Sequence, residues 1–439
     1  MNMQDQLQKL SDAVAGLEGS AARKRLLQLF DDGTFVEIDR LARDGDKPVA
    51  AVAGFGLVEG RPVYAYAQDR DVCDGAIGKA QASKIRKVYD LAAQNGAPVV
   101  SVFDSDGAKL NEGVDAMDAI ADILLASNNL SGVVPQLAVV AGACVGSSAI
   151  VASAADVVIA AKDADYYLNP GDENETAAIV EEDADKAMES ARQVLALLPD
   201  NNLAAPVIFE AESLTMASAN TAAEALAAVA DEDSLIRLYG AREGCATALA
   251  RVGGVACGLV AMDEKKLSCC SASRVARFVR LCDSFSIPVV TFVDTAGFAC
   301  LKGAAKVSQA YAEATCAKLT VITGAAYGAA YIAVAGKSAG ADAVLAWPGA
   351  TILPLAPEAA IHLYWKDRLA GMKNPIEERK ALAEEYAASE GSALAAAASG
   401  YVSDVIDPTE TKGRLAALLD MLAGKRVSRL PKKHSNIQL

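Results

Sequence analysis

The sequence predicts an α/β chain made of one domain duplicated in tandem, and three observations carry the prediction. The first is a stretch that occurs twice: residues 287–297 read I-P-V-V-T-F-V-D-T-A-G, and residues 97–107 read A-P-V-V-S-V-F-D-S-D-G. Each is a buried-strand run closed by Asp, two small or turn-forming residues and Gly, the kind of strand end at which α/β folds place ligands. The second is the steadiness of the offset. Asp294 lies 190 positions after Asp104, and the same shift sets A-S-R-V-A-R-F-V-R-L (272–281) over A-S-K-I-R-K-V-Y-D-L (82–91). A shift of 182 then sets L-T-V-I-T-G-A-A-Y-G-A-A (319–330) over L-A-V-V-A-G-A-C-V-G-S-S (137–148). The third is the alternation of strand and helix patterns, which favours a mainly parallel, layered arrangement. A period this long belongs to whole domains rather than to a solenoid.

Taken in order, residues 1–30 carry apolar positions at helical spacing (Leu7, Leu10, Val14, Leu17) and end at Asp31-Asp32-Gly33, a helical start expected to pack on its own domain or on a partner subunit. Two strands surround the turn Glu59-Gly60-Arg61, a helix is expected near 78–95, and the first strand-Asp-Gly unit follows. Residues 115–128 read as helix, 136–140 as strand and 146–154 as a helix opening with small residues. The acidic, turn-rich stretch 171–240, containing G-D-E-N-E-T and E-E-D-A-D, reads as a helical connection with a solvated face between an N-terminal domain at 1–170 and a C-terminal domain at 241–439. The second copy repeats the plan, with a helix over 274–285, a strand at 287–293, a helix near 304–314, a strand at 319–322 and a glycine turn at 324–331. Helices at 375–399 and 411–424 and a basic tail complete it.

With 439 residues the chain is comfortable as two domains. Its formal net charge of −15 argues against a nucleic-acid or anionic membrane surface. The first 30 residues have no signal-peptide pattern, and a cytoplasmic protein is expected. The nine cysteines form no C-x-x-C pair and sit mostly in apolar context, so free buried thiols are expected. The two histidines, His362 and His434, are far apart in sequence and argue against a His-based zinc site or a Ser-His triad.

What remains for chemistry is backbone. Each half carries two glycine-bearing segments at strand ends: Asp106-Gly107-Ala108 and Val145-Gly146-Ser147 in the first, Ala296-Gly297-Phe298 and Gly328-Ala329-Ala330 in the second. In both halves the second segment opens a small-residue helix, whose leading N–H groups can face an anion. One donor from each segment would make an oxyanion hole, and small side chains would let an acyl oxygen approach. The competing reading is that these glycines only let helix and sheet pack closely. Asp104 and Asp294 are either general bases or turn caps. Ser147 and Cys144 lack a visible base, and Lys109 with Glu112 reads as a helix-end charge pair.

The motifs A-Q-D-R-D-V-C-D-G-A-I-G-K-A-Q-A-S-K-I, F-D-S-D-G-A-K-L-N-E-G-V, G-A-C-V-G-S-S-A, R-V-A-R-F-V-R-L-C-D-S-F-S-I-P-V-V-T-F-V-D-T-A-G-F, I-T-G-A-A-Y-G-A-A-Y and K-K-H-S-N-I, in this order over nearly the whole chain, resemble the biotin-dependent acyl-CoA carboxyltransferases. That family includes the propionyl-CoA carboxylase β subunit and the carboxyltransferase subunits of methylmalonyl-CoA decarboxylases. The resemblance implies a tandem crotonase-like fold of ββα superhelical turns. It implies an acyl-CoA site in the first domain with Gly146, Ser147, Gly107 and Ala108 around the thioester oxygen, and Gly75 and Ala76 close by. It implies a biotin site in the second domain with Ala329 and Ala330 at the ureido oxygen, beside Gly297, Phe298, Gly328 and Tyr327. It further implies biotin on a separate biotin carboxyl carrier protein, a biotin carboxylase or a membrane decarboxylase subunit as partner, and dimer-based homo- or hetero-oligomers, often hexamers. No biotin-attachment A-M-K-M sequence occurs in this chain. The sequence departs from the family pattern after Phe298, where only Ala299-Cys300-Leu301-Lys302 stands before Gly303-Ala304-Ala305-Lys306, and after Pro170, where G-D-E-N-E-T replaces a glycine-rich stretch. A non-catalytic paralogue pairing with a fuller carboxyltransferase chain is the alternative expectation.

Overall fold

The computed structural model describes residues 3–172, 176–211, 213–242, 244–370, 376–427 and 429–436, which form two compact units meeting at Ala205 and Pro206. Glu173, Asn174 and Glu175 of the acidic stretch and Ile437 of the tail lie outside the described residues.

The first unit runs α1 (Met3–Ala15), α2 (Ala21–Leu29), β1 (Val36–Glu37), β2 (Arg43–Asp44), β3 (Lys47–Pro48), β4 (Ala51–Val58), β5 (Arg61–Gln68), α3 (Lys79–Asn95), β6 (Val99–Ser105), α4 (Val114–Leu130), β7 (Gln136–Val145), α5 (Ser147–Ser153), β8 (Val157–Ala161), β9 (Tyr166–Tyr167), β10 (Ile179–Glu181) and α6 (Ala184–Leu197). The second runs α7 (Ala222–Val229), β11 (Ile236–Arg242), β12 (Cys245–Val252), β13 (Val255–Met262), α8 (Cys269–Ser284), β14 (Val289–Thr295), α9 (Leu301–Glu313), β15 (Lys318–Tyr327), β16 (Ala343–Ala346), β17 (Thr351–Leu353), α10 (Pro357–Tyr364), α11 (Lys366–Ala370), α12 (Glu377–Glu390), α13 (Ala393–Ala398), β18 (Asp404–Val405) and α14 (Thr411–Leu422). The sheets run β1-β4-β5-β6-β7-β8-β10 and β11-β12-β13-β14-β15-β16-β18, with β9 added to β7 and β17 to β15. In each, an antiparallel hairpin leads into parallel strands, the ββα order expected for the crotonase-like repeat.

The central strands are apolar on both faces because helices cover both. Val99–Ser105 is buried along its whole length, which explains a run without polar alternation. On one side of the first sheet Ile85, Val88 and Tyr89 of α3 pack with Ile120 and Ile123 of α4. In the second unit Leu226 and Val229 of α7 pack with Leu415 and Leu419 of α14 against Leu259 and Phe292.

The duplication reaches the hairpins. Glu59 (φ 50°) and Gly60 (φ 74°) turn β4 into β5, and Gly253 (φ 57°) and Gly254 (φ 83°) turn β12 into β13, the left-handed pair that matches strand twist. An aspartate locks each turn from below: Asp31 accepts from the Glu59 and Gly60 N–H groups (3.1 and 2.9 Å), and Asp231 from those of Gly253 and Gly254 (3.1 and 2.7 Å). A cation from the unit's last helix meets each, Arg192 on Asp31 (2.9 Å) and Lys412 on Asp231 (2.8 Å). The Gly60 N–H is the leading cause that holds Asp31 below the usual carboxylate range. For Asp231 burial works in the opposite direction, but Lys412 and the two glycine N–H groups prevail and lower it.

Three expectations change. The stretch 171–240 does not stand apart: α6 packs on β7 and β8, α7 packs on β13 and β14, and the unit boundary falls inside it. No residue of α1 is buried, and Leu7 and Leu10 are exposed, so of the helical start only α2, with Ala22, Leu26 and Leu29 buried, packs into its own unit. Cys269 and Cys300 form a disulfide, where free thiols were expected, because the start of α8 and the residue before α9 bring their α-carbons to 6.0 Å. The other seven cysteines form no disulfide.

Candidate functional site

Strand pairing brings the two glycine segments of each half together. β6 and β7 keep register to Phe103↔Val140, slip, and resume at Ser105↔Cys144; β14 and β15 slip at the same place and resume at Thr295↔Ala326. The slip sets Gly107 beside the start of α5, so that a Cβ on Gly107 would stand 3.1 Å from the Val145 carbonyl and 3.9 Å from the Ser147 hydroxyl.

Asp104 and Asp294 hold the slipped register. Asp104 Oδ1 accepts from the Ala143 N–H (3.2 Å) and Asp294 Oδ1 from the Ala325 N–H (2.7 Å). Each carboxylate lies under a glycine of the next strand, Gly142 or Gly324, where a Cβ would come within 2.3 Å of an oxygen. Asp104 is also gripped by Arg25 of α2 (2.7 Å) and more loosely by Arg70 (3.5 Å), which pairs with Asp106 as well (2.9 Å). These bonds make both aspartates turn caps. Lys109 and Glu112 pair as read (2.7 Å), and Asp44, the leading cause, with Glu112 raises the Lys109 ammonium above its ordinary value.

Which N–H groups remain available follows from the bonds around each turn. Gly107 donates to Ser105 Oγ (3.1 Å), Ile77 donates to the Gly107 carbonyl, and Lys109 donates back to Ile77. This bridge leaves the Ala108 N–H on the opposite side with no hydrogen bond among the described residues. The second unit repeats it: Gly297 donates to Thr295 Oγ1 (3.3 Å), Leu267 donates to the Gly297 carbonyl, Ala299 donates to Leu267, and the Phe298 N–H is left over. At the partner segment, Gly146 donates to the Tyr167 carbonyl (3.0 Å) and Gly328 to the Leu353 carbonyl (2.9 Å). Each glycine therefore serves as an anchored cap, with φ of +60° and +44°. The leading groups are the N–H groups of Ser147, the first residue of α5, and of Ala329, the first residue of the helical segment that runs into a π-helical turn at Tyr331–Ala335, and neither has a preceding turn to bond.

The candidate holes are thus Ala108 with Ser147, and Phe298 with Ala329. Ser147 is half-buried and Ala329 exposed, whereas the next residues, Ser148 and Ala330, are fully buried. Gly75 and Ala76 differ from expectation: their N–H groups close a tight turn on Val72 and Cys73, and Gly75 is glycine because a Cβ would stand 2.2 Å from the Asp104 carbonyl. Tyr327 is half-buried against the cluster of Leu353, Ile361 and Tyr386, and burial raises its hydroxyl above the ordinary value. Sequence reasoning missed Arg25 and Arg70, which are remote in sequence from Asp104. It also missed Gly142 and Gly324, although the 182-residue offset superposes them.

The environments of the two holes differ. Outside α5 lies a cavity of about 660 Å³ lined by Leu124, Asn128, Ile150, Ser153 and Leu168, beginning within one turn of Ser147. Arg70 and Lys109 flank the Asp106–Ala108 turn. The second hole is formed by segments that carry the half-buried Phe298 and small alanines. Among the described residues no group of three His, Cys, Asp or Glu side chains could hold a metal ion, and no helix is long and apolar enough to cross a membrane.

Comparison with known proteins agrees with this fold. The carboxyl transferase domain matches residues 19–194 and 171–437. The methylmalonyl-CoA decarboxylase subunit alpha of Propionigenium modestum is 32% identical, covering 95% of this chain and 93% of that one. The methylmalonyl-CoA carboxyltransferase 12S subunit of Propionibacterium freudenreichii subsp. shermanii is 32% identical over 94% of this chain and 91% of its own length. A crystal structure of transcarboxylase 12S, described as a hexamer assembly with hydrolysed methylmalonyl-coenzyme A bound, superposes with a TM-score of 0.92 at 29% identity, covering 100% of this chain and 99% of that one. The repeated crotonase-like units match those of its relatives: the chain belongs to the carboxyl transferase family, of the propionyl-CoA carboxylase, methylmalonyl-CoA decarboxylase and transcarboxylase type.

Proposed function

We propose that the chain moves a carboxyl group between biotin, borne on a separate biotin carboxyl carrier protein, and an acyl-CoA, as the cytoplasmic carboxyltransferase subunit of an oligomeric carboxylase or decarboxylase. The observation that carries this reading is the equivalent pair of unbonded backbone N–H groups in each unit. Carboxyl transfer at an acyl α-carbon places negative charge on the thioester oxygen, and two preorganised donors in a site short of water stabilise that charge more than the neutral ground state. Ala108 and Ser147 are assigned to the acyl-CoA. The cavity beside α5 can take an apolar arm, and Arg70 and Lys109 favour an anionic substrate.

Phe298 and Ala329 are assigned to the ureido oxygen of biotin. The fit rests on their two free donors and on an alanine at the helix start, where a longer side chain would block approach. Bound there, biotin supplies the carboxyl group to be exchanged. The chain's own residues orient it, exclude water and hold charge on its oxygen, so no side-chain base is required of Asp104 or Asp294.

Proline in place of Ser147 or Ala329 tests this. Each occupies the first position of a helix, where proline is tolerated, yet it removes the donor. With a malonyl-type thioester and free biotin, each variant should lose about 100- to 1,000-fold in turnover while keeping its circular dichroism. Wild-type rates in folded Ala329→Pro would reject the assignment.

A further inference from the structure

The two donor turns are braced differently. In the first unit six residues lie between Gly107 and Val114, the start of α4, and the connection is held electrostatically: Glu112 accepts from the Lys79 N–H at the start of α3 (2.8 Å) and pairs with Lys109. In the second unit only three residues lie between Gly297 and Leu301, the start of α9. The brace there is the Cys269–Cys300 bond, and Cys269 is the counterpart of Lys79 at the 190-residue offset. Cys300 is two residues from Phe298, so the bond pins the donor turn to α8. Gly303 lets α9 close on α8 at this point, since a Cβ there would meet the Ala272 methyl at 2.8 Å.

The bond is placed for exchange. Cys269 is exposed, the neighbouring Cys270 is exposed and outside the bond, and Cys300 Sγ caps α9 by accepting from the Gly303 N–H (3.1 Å). A helix N-terminus stabilises a thiolate, and a stabilised leaving sulfur departs faster. We propose that Cys269 and Cys300 are a redox-responsive positioning pair for the Phe298 donor, the oxidised form holding the turn and the reduced form releasing it. The proposal rests on the assignment of Phe298 to the biotin side. In the reductive step a thiolate of a dithiol reductant attacks Cys269 Sγ, the Cys269–Cys300 bond breaks, and its electron pair leaves on Cys300 Sγ, which then takes a proton. The second thiol of the reductant displaces Cys269 as a thiolate and the reductant departs as a disulfide.

The full-length protein is purified without reductant, and one half is treated with dithiothreitol. Alkylation after denaturation should count seven free thiols before treatment and nine after. Reduction should speed amide exchange at 297–303 and lower kcat/KM for biotin, each about tenfold, because misplacing a reacting group by a fraction of an ångström is costly, with the KM for acyl-CoA unchanged. Cys300→Ser should show the reduced behaviour in either condition, and Cys270→Ser should respond as the natural chain does. Nine alkylated thiols before reduction, or exchange and kinetics identical in the two states, would overturn the proposal. Absence of transfer in both states would instead sink the functional assignment, and exchange at 297–303 alone would then decide whether the pair braces the turn.

Discussion

Asp104 and Asp294 occupy one position in two copies of a domain, yet their removal should differ in cost by about 1–1.5 kcal/mol. Asp104→Ala deprives the Ala143 N–H of its acceptor and leaves the Arg25 guanidinium, 16% exposed, without its counter-charge. Removing one member of a buried pair costs about 3–5 kcal/mol, and the low end applies because Arg25 retains some solvent and Arg70 keeps Asp106. Asp294→Ala removes one charge-assisted acceptor from the Ala325 N–H and strands no cation among the described residues, costing about 1.5–2 kcal/mol. Native-state hydrogen exchange followed by mass spectrometry reads each sheet separately, so two-state unfolding of the whole chain is not assumed. The slowest amides of β6 and β7 should exchange about 100- to 300-fold faster in Asp104→Ala, and those of β14 and β15 about tenfold to thirtyfold faster in Asp294→Ala. Equal accelerations, or a larger one for Asp294→Ala, would show that the arginines do not stabilise the first turn and that the capping argument is wrong.

Gly75→Ala combines a positive φ of 67° with a Cβ forced onto the Asp104 carbonyl, and should destabilise the first unit by about 3 kcal/mol; thermal unfolding measures this, and the acyl-CoA Kd of the folded fraction should not change, since Gly75 offers no free donor. Lys318 is buried with its ammonium on the Tyr311 and Ala314 carbonyls, and burial lowers it below its ordinary 10.5. The folded chain therefore releases this proton before the unfolded chain does, so stability should rise as pH climbs from the lowered folded value toward 10.5. Lys318→Gln, which installs the residue found at the matching position Gln136, should remove that rise in urea unfolding of the second unit measured across the alkaline range.

The sequence made the duplication, the β6 and β14 strands and their glycine turns readable because identical packing demands left identical apolar runs and breaks at constant offsets. It also pointed to the two segments that strand pairing brings side by side in each half. It could not show which N–H in each segment stays free, since that depends on Tyr167 and Leu353 in short strands β9 and β17, whose pairing has no local signal of its own. Cys269 and Cys300 were unreadable as a pair for a similar reason: 31 residues of chain separate them, and only the approach of α8 to α9 brings them together. The boundary inside 171–240 was hidden because acidic composition marked the solvent faces of α6 and α7, while their buried Ala, Leu and Val faces belong to different units.

Anchoring Gly146 and Gly328 through their own N–H groups separates the shape of each hole from the identity of the residues that form it. The donating positions, Ser147 and Ala329, can exchange one small side chain for another without altering what they offer a substrate, provided the preceding glycine keeps its unusual torsion and its carbonyl partner one strand away. A change in β9 or β17 can therefore disable a hole it never touches, whereas a change of letter within the hole can pass without effect. Such a centre erodes through its supports, so its integrity is better judged from two main-chain bonds than from a motif.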